Sequence, residues 1–251
     1  VNEREYGQMY QVEDSHWWYR ALHDSIVSAV AREHQQKGSL SILDAGCGTG
    51  RLCQLLQRFG QVHGCDFSPT AIDFCRARNL PHVFQADLNS IDLGECRYDV
   101  ITAIDVLYHR AIIDEAAVLA RLYRSLKPGG LLIVNLVAFE FLRSTHDIAV
   151  HTRERYTRGR FLPRLRREGF AVERASYRLA LLFFPIISYR LLKRCLPRPQ
   201  EADKVASDVA MPSPVANRLL YWLARLDNRL VDRFPLPFGT SLFVLARRPP
   251  A

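Results

Sequence analysis

Between residues 38 and 140 short apolar runs alternate with helix-forming segments, and this rhythm constrains the fold more than any other feature of the chain. The runs SLSILDAGC, QVHGCDF, HVFQAD, YDVITAIDVL and LLIVNLVAF read as five strands. Between them RLCQLLQRF stops at Gly60, SPTAIDFCRARN opens with Ser68 as an N-cap and Pro69 in the first turn, and DEAAVLARLYRSL ends at the breaker KPGG. Parallel strands need a crossover between them, and a helix is the usual one. The rhythm therefore predicts a parallel sheet wound with helices on both faces.

Outside this stretch the pattern is looser. Trp18, Leu22, Ile26 and Val30 recur every four positions and predict a helix over about 16–35. RGRFLPRLRREGF reads as a helix stopped by Gly169, AVERASYRL as a strand, and GTSLFVLARR, after RFPLPFG, as a last strand. Residues 179–235 carry no strand pattern and read as a late insertion. Its opening, LALLFFPIISYRLLKR, is interrupted by Pro185 and Arg190 and is too short to cross a bilayer. Either it packs as a lid helix over an active site, or residues 179–194 lie at a membrane interface, where apolar residues flanked by Arg and Lys are at home. The expected division is a helical cap (1–37), a core (38–178), a helical insertion (179–235) and a final strand returning to the core (236–251).

The 251 residues suffice for one large α/β domain with attached elements or for two small domains, and 48% apolar with 24% charged residues is ordinary globular usage. The six cysteines (47, 53, 65, 75, 96 and 195) form no C-x-x-C pair and no ligand spacing, so they read as reduced thiols of a cytoplasmic protein and predict no metal. The N-terminal VNEREYGQMYQVEDSHWWYR has no apolar core of signal-peptide type. The net charge of +8 is unevenly placed: residues 143–167 hold eight arginines against two acids. Nucleic acid, an anionic small molecule, a membrane surface or a merely solvated face would each account for it.

Function is legible in SILDAGCGTG, residues 41–50. Gly46, Gly48 and Gly50 follow a strand and open a helix, which brings bare backbone close to a ligand. Dinucleotide loops of the form G-x-G-x-x-G place a pyrophosphate on the helix N-terminus. Here the third glycine is displaced, and Asp44 would be a poor neighbour for a pyrophosphate but a good one for an ammonium group. Asp66 closes the second strand, where it can accept two ribose hydroxyls, and Asp87 closes the third, where it can hold an adenine amine. Adenine, ribose and a cationic amino-acid tail without phosphate describe S-adenosylmethionine.

The ordered set LDAGCGTG, CDFS, QADL, YDVITAIDVLYH and LKPGGLLIV resembles the class I S-adenosylmethionine-dependent methyltransferases over about residues 38–140. The resemblance implies a Rossmann-like doubly wound α/β sheet of seven strands, the last antiparallel. It implies that Asp44, Gly46, Gly48 and Gly50 line the methionine side of the cofactor, Asp66 the ribose, Phe67 the adenine face, and Asp87 with Leu88 the adenine edge. Asp105 would face the cofactor end of the pocket. HWWYRALHDSI, RSTHDIAVHTRERYT and PFGTSLFVLARRP are similar to a narrower bacterial group of these enzymes, many of them associated with glycan or lipid modification. That group often carries a paired RRY where this chain has Arg153-Glu154-Arg155-Tyr156, which weakens the transfer of a substrate role to the arginines.

Methyl transfer is an in-line displacement, so the protein must chiefly align the reactants, and a hydroxyl acceptor needs a base. His146 or His151, oriented by Asp147, is expected to serve, with His109 a weaker alternative. Trp17 and Tyr19 are expected to close over the cofactor or the acceptor, while Trp18 packs; Arg155 and Tyr156 complete the expected acceptor set. Strand four reads AIDVLYH rather than an Asn-Pro-Pro-Tyr motif, which disfavours methylation of adenine or glutamine amines, and no Pro-Cys pair marks a cytosine-C5 nucleophile. A small or lipid-linked acceptor remains, with O-methylation preferred. The alternatives are an RNA methyltransferase using residues 143–167 on phosphates, and a cofactor-binding partner protein without catalysis. The second is disfavoured by the intact trio Asp44, Asp66 and Asp87.

Overall fold

The computed structural model describes residues 3–188 and 211–250. Residues 189–194 of the apolar opening and Cys195 lie outside the described residues. The strands are β1 (Leu40–Ala45), β2 (Gly60–Asp66), β3 (Val83–Gln85), β4 (Tyr98–Ile104), β5 (Leu126–Val137), β6 (Ala171–Arg178) and β7 (Ser241–Arg247). They form one sheet in the order β3-β2-β1-β4-β5-β7-β6. The pairs among β1 to β5 are parallel, while β7 runs antiparallel to both β5 and β6. The doubly wound sheet of seven strands with an antiparallel last strand is thus the fold of the chain.

The central strands are apolar on both faces because helices cover both. On one face Leu43, Ile101, Leu132, Val134 and Val244 pack against Val118, Leu119 and Leu122 of α5 (Glu115–Ser125) and Phe161 and Leu165 of α7 (Arg158–Arg167). On the other, Ile42, Val100, Ile133, Phe243 and Leu245 meet Leu22, Ile26 and Val30 of α2 (Trp17–Lys37) and Leu52 and Leu56 of α3 (Arg51–Leu56). Neighbouring positions of one strand feed opposite clusters, as the period of two requires.

Two local features differ from the sequence expectation. KPGG does not merely end α5: β5 already begins at Leu126, and the pairing jumps from Tyr98–Leu126 to Val100–Leu131, so the turn is absorbed as a bulge with Gly129 at φ 74°. Nothing in the sequence predicted α1 (Glu3–Val12), which lies over the loop after β1. The remaining helices are α4 (Pro69–Ala77), α6 (Thr145–Ala149) and α8 (Pro214–Arg233); residues 183–188 are also helical.

Polar side chains fasten α8 against α2 and the end of β6. Trp17 N–H donates to Asn217 Oδ1 at 2.8 Å, and Asn217 Nδ2 donates to Ser15 O at 2.9 Å. Asn228 Nδ2 donates to Ala21 O at 2.7 Å, and the Leu179 and Leu181 N–H groups donate to the Asp227 carboxylate at 2.6 and 3.2 Å. No helix of the described residues is long and apolar enough to cross a membrane.

Candidate active site

The parallel strands end on one edge of the sheet, where open α/β folds bind ligands. The loop after β1 turns there with Gly46, Gly48 and Gly50 at φ 80°, 54° and 81°, a region side chains rarely enter. A Cβ on Gly46 would stand 2.6 Å from Val106 Cγ2, and one on Gly48 2.9 Å from Met9 Cε. Gly50 serves differently. A Cβ there would meet Leu80 Cδ1 at 2.5 Å and Cys75 Sγ at 2.8 Å, so this glycine allows helix packing and does not line the cavity.

Above the loop lies a cavity of about 1100 Å³. The strand ends contribute Asp44, Asp66, Phe67, Asp87, Leu88 and Asp105; α2, the chain after β6 and α8 contribute Trp17, Tyr19, His23, Leu179, Ile186 and Leu220. Carboxylates and apolar or aromatic surface therefore share one enclosure.

Each carboxylate is held by a different device. Asp44, 2% exposed, accepts from Thr102 Oγ1 at 2.6 Å and Cys53 Sγ at 3.5 Å, and burial raises its pKa to about 6. Asp66 accepts the N–H groups of Gly48 and Ser68, both at 2.9 Å, and the Tyr6 hydroxyl at 3.3 Å. Asp87 accepts from Asn89 N and Nδ2 at 2.9 and 2.6 Å. Asp105 sits at φ 55°, tolerable for Asp, with both oxygens accepting from Asn135 Nδ2 at 3.1 Å; burial raises its pKa to about 7. Among the described residues neither Asp44 nor Asp105 has a side-chain cation at ion-pair distance. A buried and a half-buried carboxylate without cations make a site that a cationic ligand would stabilise.

α1 covers this end. Besides the Tyr6–Asp66 bond, Tyr10 stacks on Phe74 at 4.7 Å, and Glu13 accepts from Thr49 Oγ1 and from Arg78 Nη2 at 2.7 Å. Tyr6, Met9 and Glu13, together with Val106 and Tyr108, line the cavity and escaped the sequence reading. The spacing of Tyr6, Met9 and Glu13 is helical, but Gly7 interrupts it and no cap announces the helix.

Of the expected acceptor residues, Trp17, Tyr19, His109, His151 and Arg155 line the cavity, and so does Trp18, which also packs against α2's own cluster. Burial holds Tyr19 as a neutral phenol and pushes His23 down to about 3, so both are uncharged at neutral pH. His109 and His151 meet with ring centroids 5.6 Å apart, both with lowered pKa from burial, His109 to about 4. Ala111 N–H donates to His109 Nδ1 at 3.1 Å, which leaves the proton of the neutral ring on Nε2 and removes His109 as a proton acceptor.

Two expectations are corrected, those for Asp147 and Tyr156. Asp147 does not orient a histidine: its carboxylate, 1% exposed, is taken by Arg155 Nε at 2.8 Å, Arg155 Nη2 at 2.9 Å and Ser144 N–H at 2.7 Å. Three of the five Arg155 N–H donors are thereby committed, the third reaching Ala138 O at 2.9 Å. Tyr156 is fully buried away from the cavity, with its hydroxyl donating to Glu115. The backbone of His146 lies in α6, and its side chain falls outside the described residues. The arginine-rich stretch is also not a free basic face, since Arg143, Arg153, Arg155, Arg160 and Arg164 each stand in an ion pair. No group of three or more His, Cys, Asp or Glu among the described residues is placed to hold a metal.

Residues 42–130 match the profile of a family described as a methyltransferase domain. Over this stretch the chain is similar to methyltransferase domains. Over 103 residues it is 34% identical to a ubiquinone biosynthesis O-methyltransferase of Bradyrhizobium diazoefficiens, covering 39% of this chain and 40% of that one. Over 130 residues it is 35% identical to a rat tRNA N(3)-cytidine methyltransferase, covering 46% and 43%. The chain thus spans about two fifths of the length of these curated relatives. An S-adenosylmethionine-dependent methyltransferase of Mesorhizobium loti superposes with a TM-score of 0.60 at 19% identity, covering 94% of this chain and all of that one, which establishes the common fold.

The cofactor of this class is S-adenosylmethionine, and the residues present fit it. The glycine loop leaves space that Cβ atoms would close, and the two carboxylates without cations, Asp44 and Asp105, suit a ligand with an ammonium and a sulfonium. Asp66 and Asp87 add acceptors for hydroxyl and amine hydrogens.

Proposed function

We propose that the protein transfers a methyl group from S-adenosylmethionine to the oxygen of a small or lipid-linked acceptor. One observation carries this reading: a single cavity joins the carboxylate-lined strand ends to a wall of Trp17, Tyr19, Leu179, Leu182, Ile186 and Leu220. A charged acceptor would have to shed its hydration against that wall, whereas an apolar or aromatic one gains from it.

When bound, the cofactor supplies an electrophilic methyl on a sulfonium. Asp44 and Asp105 would balance its cationic tail, Asp66 would accept the ribose hydroxyls, Phe67 would lie on the adenine face, and Asp87 with Leu88 would meet the adenine edge. Tyr6 must yield its share of Asp66, so α1 is the element that admits the cofactor. Trp17 and Tyr19 hold the acceptor, and the surrounding apolar side chains exclude water. Asp105, kept ionised beside the cofactor's cation, accepts the acceptor's hydroxyl proton. His151, also on the cavity, has its Nδ1 buried and without a hydrogen-bond partner, which makes it the alternative base.

The tRNA-modifying relative favours a second reading in which residues 143–167 grip RNA. The ion pairs that occupy five of those eight arginines weaken it. Incubation with methyl-tritiated S-adenosylmethionine and a bacterial lysate, followed by partition, tests both. Label in the organic phase supports the lipophilic acceptor, label in RNA replaces it, and no transfer despite cofactor binding leaves a non-catalytic partner protein.

A further inference from the structure

α8 has two apolar faces, and the core uses only one of them. Ala224, Asp227 and Val231 are buried, with Leu220 turned to the cavity. On the opposite side Val215, Leu219, Trp222 and Leu226 follow at intervals of four, three and four and are 80%, 56%, 63% and 36% exposed. At 1.5 Å per residue this stripe runs for about 16 Å along the helix. Large side chains in helical register on an exposed face mark a contact surface.

The charge around the stripe identifies its partner. At 100° per residue, Arg218, Arg225 and Arg229 fall along one flank of the stripe, and Arg233 falls in line at its end. Arg218, Arg229 and Arg233 have no ion pair among the described residues, whereas the two acids of α8 are already engaged: Asp227 by backbone N–H groups and Asp232 by Arg174 at 2.9 Å. The outward face thus offers aliphatic side chains, an interfacial tryptophan and cations, with no free carboxylate. We propose that α8 lies flat on an anionic phospholipid bilayer, inserting Leu219, Trp222 and Leu226 below the headgroups while the arginines pair with phosphates. A soluble protein partner would need acids but not a hydrocarbon layer, and RNA would use the arginines and leave the stripe uncovered. The same helix carries Leu220 to the cavity, so the bound membrane would stand next to the apolar wall. The inference does not depend on the methyl acceptor, because it concerns the outer face of the helix.

Sedimentation of the full chain with phosphatidylcholine vesicles, with and without phosphatidylglycerol, tests it, with Trp222 followed by quenching from brominated acyl chains. The expected result is binding only to the anionic vesicles, quenching that disappears in Trp222→Phe, and at least about tenfold weaker binding in Leu219→Glu/Trp222→Glu. Each arginine reaching the surface strengthens partition about fivefold, so Arg218→Glu/Arg229→Glu, which leaves the stripe intact, should abolish it at moderate salt. The proposal is overturned if the wild type stays in the supernatant. It is also overturned if Trp222 is not quenched, or if binding survives the glutamates on the stripe and vanishes only with the arginines, which would make the face a polyanion site. A concentration-dependent dimer that hides Trp222 without vesicles would assign the stripe to a second copy instead.

Discussion

Replacing Asp105 by Asn isolates the electrostatic cost of the site. The pKa of Asp105 is raised from its ordinary 3.8 to about 7 by burial, with only the Asn135 amide as hydrogen-bond donor. A folded-state pKa above the unfolded one means the native state binds the proton more tightly. Stability is then whole below about pH 3.8, declines as pH rises, and levels off above about pH 7. At about 1.4 kcal/mol per pH unit the full cost is about 4 kcal/mol, of which about 2.5 falls between pH 5 and pH 8. Because the carboxylate faces a cavity that solvent enters, about 1–2 kcal/mol is the realistic part. Asn accepts the positive φ and keeps an oxygen toward Asn135, so the variant should not suffer this loss. Thermal melts of the apo forms should therefore show Asp105→Asn gaining about 3–6 °C on the wild type between pH 5 and pH 8. A gap between the two proteins that is the same at both pH values would refute the argument, since packing changes do not titrate. Saturating S-adenosylmethionine should narrow the gap by compensating the wild-type charge.

Asp105→Asn should also weaken cofactor binding by calorimetry and, at saturating cofactor, still lower methyl transfer to a hydroxyl acceptor by about a hundredfold or more, whereas His151→Ala should keep most of the transfer. Gly46→Ala drives a Cβ into Val106 at positive φ, so cofactor affinity should fall by about tenfold or more and the melting temperature by several degrees. Asp147→Ala leaves Arg155 buried without its partner and should cost about 3–5 kcal/mol in chemical denaturation, more than Asp147→Leu combined with Arg155→Met, which removes both charges. Tyr6→Phe frees one lone pair of Asp66 and loosens α1, so proteolysis near residues 3–12 should quicken and be suppressed by the cofactor.

The chain's own order of residues determined the sheet and the cofactor end. Strand runs, caps and glycines act over a few residues, so LDAGCGTG, Asp66 and Asp87 announce themselves locally, and the doubly wound topology follows from short right-handed crossovers. What surrounds those residues was decided by contacts between distant segments. Nothing local tells that Asp147 meets Arg155 instead of a histidine, that Tyr156 turns into the core toward Glu115, or that α1 returns to place Tyr6 on Asp66, sixty residues away. The pKa values of Asp44 and Asp105 belong to the same class, since a carboxylate is displaced by what buries it and by which cations are missing, and both are properties of the packed chain. A sequence can name the groups that chemistry requires, but only tertiary structure decides which remain available for it.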